Sequence, residues 1–341
     1  MKTSDFDYEL PDELIAKYPL KNRDDSRLLT FIDQKIQHRT IKELLSNISS
    51  KDLLVFNRSS VIPARLFGNK ETGGKVEVFL ERLLGENKAM VQLKSSTKIL
   101  PNQLISFTYP TKTFKTEVIS KQDDFYETRW EESPAELFIN YGVTPLPPYL
   151  NREAECSDVE RYQNLYADPA KKLSVAAPTA GLHFSEMLLH AIKEAGVVSD
   201  YIYLHVGSGT FKPVKVENIA DHKMHSEYIE VTEATVQKIK TVKKSGGKIV
   251  AVGTTTLRAL ETAFQADLDC FQGDTNIFIH PGFKFKAVDM LLTNFHQPKS
   301  SLLMLVSAFV GYDAMKTIYA EALEKRYRFL SYGDAMLLEK A

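Results

Sequence analysis

Several features that would place this chain in a special class are scarce or missing. Its 341 residues include only two cysteines and one tryptophan. Cys156 and Cys270 lie far apart without metal-type spacing, which argues against a disulfide framework. The longest apolar run near the end, residues 302–310, is about half a membrane span, so we predict a buried helix there. Because the first residues are charged where a signal peptide is apolar, we expect a reduced cytoplasmic protein without a membrane segment.

The chain also lacks a strong excess of either charge. A formal net charge of −1 argues against a protein that coats nucleic acid, since phosphate binding depends on local Lys and Arg density. Residues 61–121, however, contain ten Lys or Arg against five Glu, a surplus of five. This surplus predicts either an RNA-facing surface or a β domain whose solvated lysines protect its strand edges.

The pattern of apolar residues changes twice along the chain. Residues 63–150 hold short alternating apolar segments separated by turns, and they end in a proline-rich stretch typical of a linker. The flanking segments alternate strand-like with helix-like patterns, beginning with a helix predicted at 11–17 and a strand at 52–56. We therefore predict an α/β fold. Its open parallel α/β domain comprises residues 1–62 and 151–341, and a small antiparallel β-barrel or sandwich is inserted at 63–150.

Four strand-like runs in the second half each end in a loop of Gly, Thr, Pro or His. These loops lie at 178–183, 207–210, 253–258 and 293–296. If the four strands are parallel, the loops at their carboxyl ends gather at one edge of the sheet. Glycine lets a backbone approach a ligand closely, and N–H groups at helix starts favour anionic or polar groups. The sequence therefore predicts a small-molecule site at that edge.

Glycine-rich loops elsewhere give weaker signals. The Gly-Gly-Lys segments at 73–75 and 246–248 lack phosphate-loop spacing and are interpreted as turns. The Gly-Ser-Gly-Thr loop at 207–210 loosely resembles the nucleotide loop of dinucleotide or methyl-donor folds. Pro213 follows too soon for the helix that such folds place behind their ligand.

Histidines are concentrated in the predicted site segments. His222, His225 and Glu227 could bind zinc, but their spacing differs from the i, i+4 pair of zinc-binding helices. Acid–base chemistry or hydrogen bonding to a polar substrate is favoured, because histidine titrates near neutrality. Three further histidines lie in or just before three of the four loops. The candidates for proton transfer are His183, His205, His222, His225, Glu227 and His296.

Motifs spread over the whole chain carry a specific resemblance. They include Asp-Phe-Asp-Tyr-Glu-Leu-Pro at 5–11, Arg-Asp-Asp-Ser-Arg-Leu-Leu at 23–29, Val-Ile-Pro-Ala-Arg-Leu at 61–66, Thr-Gly-Gly-Lys-Val-Glu-Val at 72–78, Arg-Tyr-Gln at 161–163, Ser-Val-Ala-Ala-Pro-Thr-Ala-Gly-Leu-His-Phe at 174–184, Leu-His-Val-Gly at 204–207, Gly-Thr-Phe at 209–211, Thr-Asn-Phe-His at 293–296, Tyr-Arg-Phe at 327–329 and Ser-Tyr-Gly-Asp-Ala-Met at 331–336. In this order they resemble the bacterial S-adenosylmethionine:tRNA ribosyltransferase-isomerases of queuosine biosynthesis.

This resemblance implies an unusual use of S-adenosylmethionine. The family transfers the ribosyl part to the aminomethyl group of a 7-deazaguanine at the tRNA wobble position, forms an epoxycyclopentane and releases adenine and methionine. It implies a distorted α/β barrel-like domain with an inserted β-barrel, and no metal, nucleotide or redox cofactor. The partners expected are S-adenosylmethionine as co-substrate and the precursor tRNA, bound by a monomer.

Site roles follow from the loops, the basic residues and this resemblance. The residues expected to bind substrate are Thr179, Gly181, Gly207, Gly209, Thr210, Arg258 and Asn294. Those expected to bind tRNA are Arg23, Arg27, Arg58, Arg65, Lys94 and Lys98. One position departs from the family pattern: Ser60 stands where a basic residue usually precedes Val-Ile-Pro-Ala-Arg. If the strand continues, Arg58 and Ser60 face the same side, so a swap is one interpretation, and which arginine serves that corner stays open.

Two alternatives remain open at this point. A noncatalytic tRNA-binding module would use the β domain for RNA and the α/β domain as scaffold, and it predicts binding without turnover. An S-adenosylmethionine-dependent RNA methyltransferase is disfavoured, because the helix usual after its strand and Gly loop is missing.

Overall fold

The structure, a computed structural model, describes residues 1–207, Gly209 and residues 214–341. The first strands are β1 (Arg27–Ile32), β2 (Lys35–Thr40), β3 (Leu53–Asn57) and β4 (Ser60–Val61). The helix predicted at 11–17 is wrong, since only a 3₁₀ turn forms at Asp12–Leu14. The chain then becomes extended, with Ile15 in a β-bridge to Phe329 and the Ala16 N–H donating to the Phe329 carbonyl. Pairing with a distant segment therefore overrides the local helix signal.

The alternating segments form a closed six-stranded antiparallel barrel. Its strands are β5 (Arg65–Lys70), β6 (Lys75–Leu83), β7 (Lys88–Ser95), β8 (Leu104–Tyr109), β9 (Lys112–Gln122) and β10 (Phe125–Trp130). Buried and partly exposed residues alternate along β6, as expected for a strand with one face in the core. Helix α1 (Pro134–Tyr141) packs Leu137 and Phe138 into the same core.

The rest of the chain alternates helices with strands. These elements are α2 (Cys156–Arg161), β11 (Lys172–Ser174), α3 (Glu186–Glu194), β12 (Val198–His205), β13 (Glu227–Val231), α4 (Glu233–Lys244), β14 (Ile249–Val252), α5 (Thr254–Gln265), β15 (Phe271–Thr275), β16 (Met290–Asn294), α6 (Ser301–Val310), α7 (Tyr312–Glu324) and β17 (Ala335–Glu339). The 3₁₀ helices besides Asp12–Leu14 are Thr3–Phe6, Arg23–Asp25, Ile41–Ser46, Pro148–Leu150, Pro169–Lys171, Thr179–His183 and Ile219–Asp221. Ser185 and Thr232 cap α3 and α4 by accepting from main-chain N–H groups three residues on.

One nine-stranded mixed sheet supports the site, in the order β15-β13-β12-β3-β14-β16-β17-β1-β2. Its centre is four parallel strands, β12, β3, β14 and β16, so their carboxyl ends share an edge. Three of the four predicted runs therefore belong to this sheet. The fourth does not, because β11 pairs with β4 in a separate two-stranded sheet. The Val175 N–H still donates to the Val206 carbonyl, which holds the following loop beside β12.

The architecture confirms the α/β class with an inserted small β-barrel. The domain bounds at 62/63 and 150/151 stay a prediction. The apolar run at 302–310 is the buried helix α6, as expected. Among the described residues no single helix is long and apolar enough to cross a membrane, and α6 and α7, which reach that length only together, meet at a bend of 115°.

Candidate active site

Three of the four loops, at 178–183, 253–258 and 293–296, line a cavity of about 100 Å³ at the carboxyl edge of the parallel strands, and Val206 joins them just before the fourth loop. It is lined by residues 176–180, Val206, residues 253–255 and residues 293–297. Gly253 has a φ of +94°, which lets the chain turn from β14 directly into α5. The prediction that these loops converge is therefore confirmed for three of them, one of which follows a strand outside the main sheet. Gly207 and Gly209 of the fourth loop line a neighbouring cleft, and residues 208 and 210 lie outside the described residues.

Asn294 holds three segments of this edge together. Its side-chain oxygen accepts from the Thr179 hydroxyl at 3.0 Å, and its amide donates to the Leu330 carbonyl at 3.1 Å. The same amide nitrogen lies 3.1 Å from His183 Nε2. Because the Leu330 carbonyl can only accept, Nδ2 is the donor, and His183 Nε2 must accept. Asn294 thus fixes both Thr179 and the tautomer of His183.

His183 is a structural neighbour of the cavity and does not line it. Its Nδ1 lies 2.9 Å from the Ser26 hydroxyl, so both ring nitrogens have partners. Burial lowers its pKa to about 4, which keeps the imidazole neutral at pH 7. In this arrangement His183 positions Asn294, and its expected role in proton transfer stays a prediction.

His296 does line the cavity. Its Nε2 lies 3.0 Å from the Thr293 hydroxyl, and its main-chain N–H donates to the Tyr319 hydroxyl. Its carbonyl accepts from the Tyr8 hydroxyl. Burial lowers the pKa of His296 to about 3, so the ring is neutral at physiological pH. A neutral, fixed imidazole can accept or donate one hydrogen bond to a ligand in the cavity.

A second cleft of about 360 Å³ adjoins the first, and Leu302 lines both. Its wall includes His222, His225 and the buried pair Glu227 and Arg258. Asp124, from the turn between β9 and β10, also reaches this wall, so the barrel contributes to the site. The largest histidine cluster predicted from the sequence thus lies beside the loop cavity.

Arg258 has two buried donors without a hydrogen-bond partner among the described residues. Its side chain is 5% exposed, and Nη1 donates to Glu227 Oε2. Nε and Nη2 are buried and have no hydrogen-bond partner among the described residues. These two nitrogens lie on one edge of the guanidinium plane, where they can receive a carboxylate or phosphate with two parallel hydrogen bonds. Because leaving such donors unpaired in a buried site is unfavourable, the edge is a candidate oxyanion site.

The two histidines of the cleft have different surroundings. His222 packs edge-on against Phe278, with ring centres 5.1 Å apart, and burial lowers its pKa, with a further contribution from His225. A side chain at Gly209 would meet the His225 ring at 2.5 Å, so glycine is required there for close packing. Across the described ranges, no three His, Cys, Asp or Glu side chains lie together as a metal-binding group.

Glycines expected to contact substrate have packing reasons of their own. A Cβ at Gly181 would lie 2.0 Å from the Tyr166 hydroxyl, so glycine is required there for packing. Gly181 lines neither cleft, and its expected substrate role stays a prediction. Gly207 lies against Glu81 of the barrel and lines the second cleft. Thr210, also expected to bind substrate, lies outside the described residues.

His205 faces a third cavity of about 400 Å³, between the sheet edge and the barrel. Its ring plane is 6° from that of Tyr228, and the ring centres are 5.8 Å apart. Burial lowers its pKa to about 4, although nearby Glu230 opposes the shift. The sequence grouped His205 with the other site histidines, and the structure separates it from the loop cavity.

Two of the arginines expected to bind RNA serve the protein itself. Arg27 pairs with buried Asp334, donates to the Lys325 and Arg326 carbonyls and packs over the Tyr327 ring. Arg23 donates to the carbonyls of Leu182 and Glu160. Their donors thus hold distant segments of the protein together, and the RNA role expected for this pair stays a prediction.

Arg58 and Ser60 do not replace one another. The strand breaks after Asn57, so the alternation that would place both on one side does not apply. Arg58 lies over the Tyr201 ring at 4.9 Å, whereas the Ser60 hydroxyl accepts from Gln163 Nε2. The condition on which a swap depended, a strand continuing from Asn57 to Ser60, is therefore not met.

The remaining basic candidates lie on the barrel. Arg65 and Lys94 line an open cleft of about 840 Å³ that reaches the proline-rich segment. Arg65 pairs with Glu77, while Lys94 and Lys98 are exposed. These residues remain available for a polyanion.

Sequence reasoning missed several residues at the two clefts. Tyr149 and Ser331 line the first cavity with their hydroxyl oxygens 2.5 Å apart, and burial raises the pKa of Tyr149 to about 12. Lys215 and Lys223 line the second cleft. Tyr149 was hidden in a stretch interpreted as linker, while Ser331 stands in a motif that carried the family resemblance.

Known proteins resemble the chain over its whole length. The sequence model of a family described as "Queuosine biosynthesis protein" matches residues 3–338. S-adenosylmethionine:tRNA ribosyltransferase-isomerases from Polynucleobacter necessarius and Legionella pneumophila strain Lens are 48% and 49% identical, each over 99% of this chain and 98% and 100% of the relative. A crystal structure of the S-adenosylmethionine tRNA ribosyltransferase from Thermotoga maritima has a TM-score of 0.57 and 34% identity, covering 98% of this chain and all of that one.

Proposed function

The chain belongs to the family of queuosine biosynthesis proteins, and from this membership we propose that it modifies the wobble base of tRNA. The enzyme is an S-adenosylmethionine-dependent tRNA ribosyltransferase-isomerase. It transfers and isomerises the ribosyl part of S-adenosylmethionine onto the 7-aminomethyl-7-deazaguanine, forming epoxyqueuosine and releasing adenine and methionine. The observation that carries this proposal is 48–49% identity with relatives of that name over almost the full chain.

The two adjoining clefts suit a substrate that has a flat nucleobase at one end and a carboxylate at the other. In our proposal the loop cavity, with Thr179, Asn294 and His296, holds part of the adenosyl group. The free edge of Arg258 then receives the methionine carboxylate. Thr254 and Thr255 line the first cavity, and Arg258 lies about one helical turn further along α5, so one ligand can span both.

Proton transfer falls to the second cleft in this proposal. The sulfonium acidifies the ribose 5′ carbon, and a neutral imidazole can take that proton. His222 suits this role, because it lines the cleft and burial lowers its pKa, so the free base dominates at pH 7. His225 is the proposed donor to the leaving adenine. Glu227 is engaged by Arg258 and orients it.

The tRNA reaches these clefts from the barrel side in our proposal, past Arg65, Lys94 and Lys98. The chain works as a monomer in the cytoplasm, with no metal or other cofactor besides its co-substrate. Near-full-length identity to named transferases disfavours a noncatalytic RNA-binding module.

The test is product identity. Incubation with S-adenosylmethionine and a tRNA bearing the aminomethyl-deazaguanine should release adenine and methionine in equal amounts, measured by chromatography. S-adenosylhomocysteine instead would mean methyl transfer and contradict the proposal. Binding of the tRNA with no product of either kind would favour the noncatalytic module.

A further inference from the structure

The third cavity has no role in the chemistry described so far. It lies between the edge of the sheet and the barrel, and its lining includes Leu80, Arg82, Leu83, His205, Tyr228 and Gln272. Its volume of about 400 Å³ is within the range of roughly 300–1,000 Å³ typical of small-ligand pockets. Gly207 and Glu227 line both this cavity and the second cleft, so the two are neighbours.

The cavity offers a flat aromatic surface and unsatisfied polar atoms. His205 and Tyr228 are cross-strand partners on β12 and β13 with nearly parallel rings. Both ring nitrogens of His205 are buried and lack hydrogen-bond partners in the part of the chain that the structure describes. A neutral imidazole carries one donor and one acceptor. A planar heteroaromatic ligand can stack on the face of such rings, or it can lie in the plane of the imidazole and pair with those nitrogens.

A stripe of aromatic rings and cations leads along β12 to this cavity. Tyr201, Tyr203 and His205 alternate on one face of the strand. Arg58 lies 4.9 Å from the Tyr201 ring centre, and the Lys171 ammonium lies 5.1 Å from that of Tyr203. Proteins bind unpaired RNA strands with aromatic rings interleaved with cations, because the rings stack on the bases and the cations neutralise the phosphates.

We infer that the cavity between His205, Tyr228 and the barrel residues 80–83 receives the wobble base of the tRNA after it has left the base stack. From there the aminomethyl group of the base faces the adjoining cleft across Gly207 and Glu227. This inference rests on the proposed function, since it names where that function's RNA substrate lies. It also assigns a role to the barrel, which supplies one wall of the pocket.

The test compares the affinity of the protein for intact tRNA with its affinity for the same tRNA made abasic at the wobble nucleotide. Tyr228→Leu removes the stacking surface and should weaken binding of intact tRNA about fivefold or more. It should leave binding of the abasic tRNA and of S-adenosylmethionine unchanged. Tyr228→Phe keeps the ring, loses only the hydroxyl contact with Gln272, and should bind like wild type.

Several results would overturn the inference. Equal weakening for intact and abasic tRNA would mean that Tyr228 contacts another part of the RNA. Weakened S-adenosylmethionine binding would place the adenine there instead, and no weakening at all would remove the cavity from the RNA path.

A crosslinking experiment on the wild-type protein covers the case in which Tyr228→Leu does not fold. A tRNA with 6-thioguanine at the wobble nucleotide, irradiated in the complex, should crosslink to peptides containing His205, Tyr228 or residues 80–83. Crosslinks confined to the loop cavity would overturn the inference. Both experiments measure binding without turnover, so they remain informative if the product test contradicts the proposed reaction.

Discussion

Replacing Arg258 with lysine separates the two roles of this side chain, the ion pair with Glu227 and the proposed binding of the methionine carboxylate. A lysine ammonium keeps a positive charge opposite Glu227, which avoids the roughly 3–5 kcal/mol cost of leaving one partner of a buried ion pair alone. It removes the planar edge of Nε and Nη2 that has no partner among the described residues. A hydrogen bond to a charged group is worth about 1.5–3 kcal/mol. We therefore expect S-adenosylmethionine affinity to fall about ten- to hundred-fold, with tRNA affinity unchanged.

Decarboxylated S-adenosylmethionine makes this prediction specific. Calorimetry gives the affinity of wild type and of Arg258→Lys for S-adenosylmethionine and for the decarboxylated analogue. These four affinities form a double-mutant cycle that measures the coupling between the Arg258 side chain and the ligand carboxylate. The analogue should bind wild type weakly, and Arg258→Lys should not weaken it further. If the substitution weakens both ligands equally, the free edge of Arg258 does not bind the carboxylate. Thermal midpoints of the two proteins control for damage to the Glu227 pair.

Three further predictions address proton transfer, buried histidine and RNA binding. His222→Ala should slow turnover by roughly 10²–10⁴-fold with the affinities for S-adenosylmethionine and tRNA nearly intact. The matched control is His190→Ala, at an exposed histidine. A large loss of affinity for either substrate would contradict a role of His222 in proton transfer. Burial lowers the pKa of His296 to about 3 in the folded protein, against about 6.5 in the unfolded chain. Below pH 6.5 the unfolded chain therefore binds a proton at this ring that the folded protein does not, and the free energy of unfolding falls as the pH drops from 6.5 toward 3. Between pH 7 and pH 5 the free energy of unfolding, measured with urea, should therefore fall by about 2 kcal/mol less for His296→Gln than for the wild type. Identical decreases for the two proteins would refute this. The double substitution Lys94→Ala and Lys98→Ala should reduce the salt slope of tRNA binding by about one per lysine without changing S-adenosylmethionine affinity, and equal tRNA affinity at low salt would exclude both lysines from the RNA path.

Local signals in the sequence determined much of the architecture. Alternating apolar residues predicted most barrel strands, because a strand with one buried face repeats every two residues. Ser185 and Thr232 marked helix starts, since a side-chain oxygen there satisfies a free main-chain N–H. The composition of the four loops predicted the edge where the clefts lie. Motif order over the whole chain predicted the family.

Contacts between distant residues decided what each site side chain does. Arg27 is committed to Asp334, and the side chain of Asn294 fixes His183, pairings that no local period encodes. The free edge of Arg258 depends on Glu227, 31 residues earlier, taking only one end of the guanidinium. The pocket at His205 exists because the barrel closes against β12 and β13. The sequence by itself thus determined which elements form and which edge carries the chemistry, whereas only tertiary packing decided which histidines and arginines keep donors or acceptors available, because hydrogen-bond partners are assigned by proximity in space.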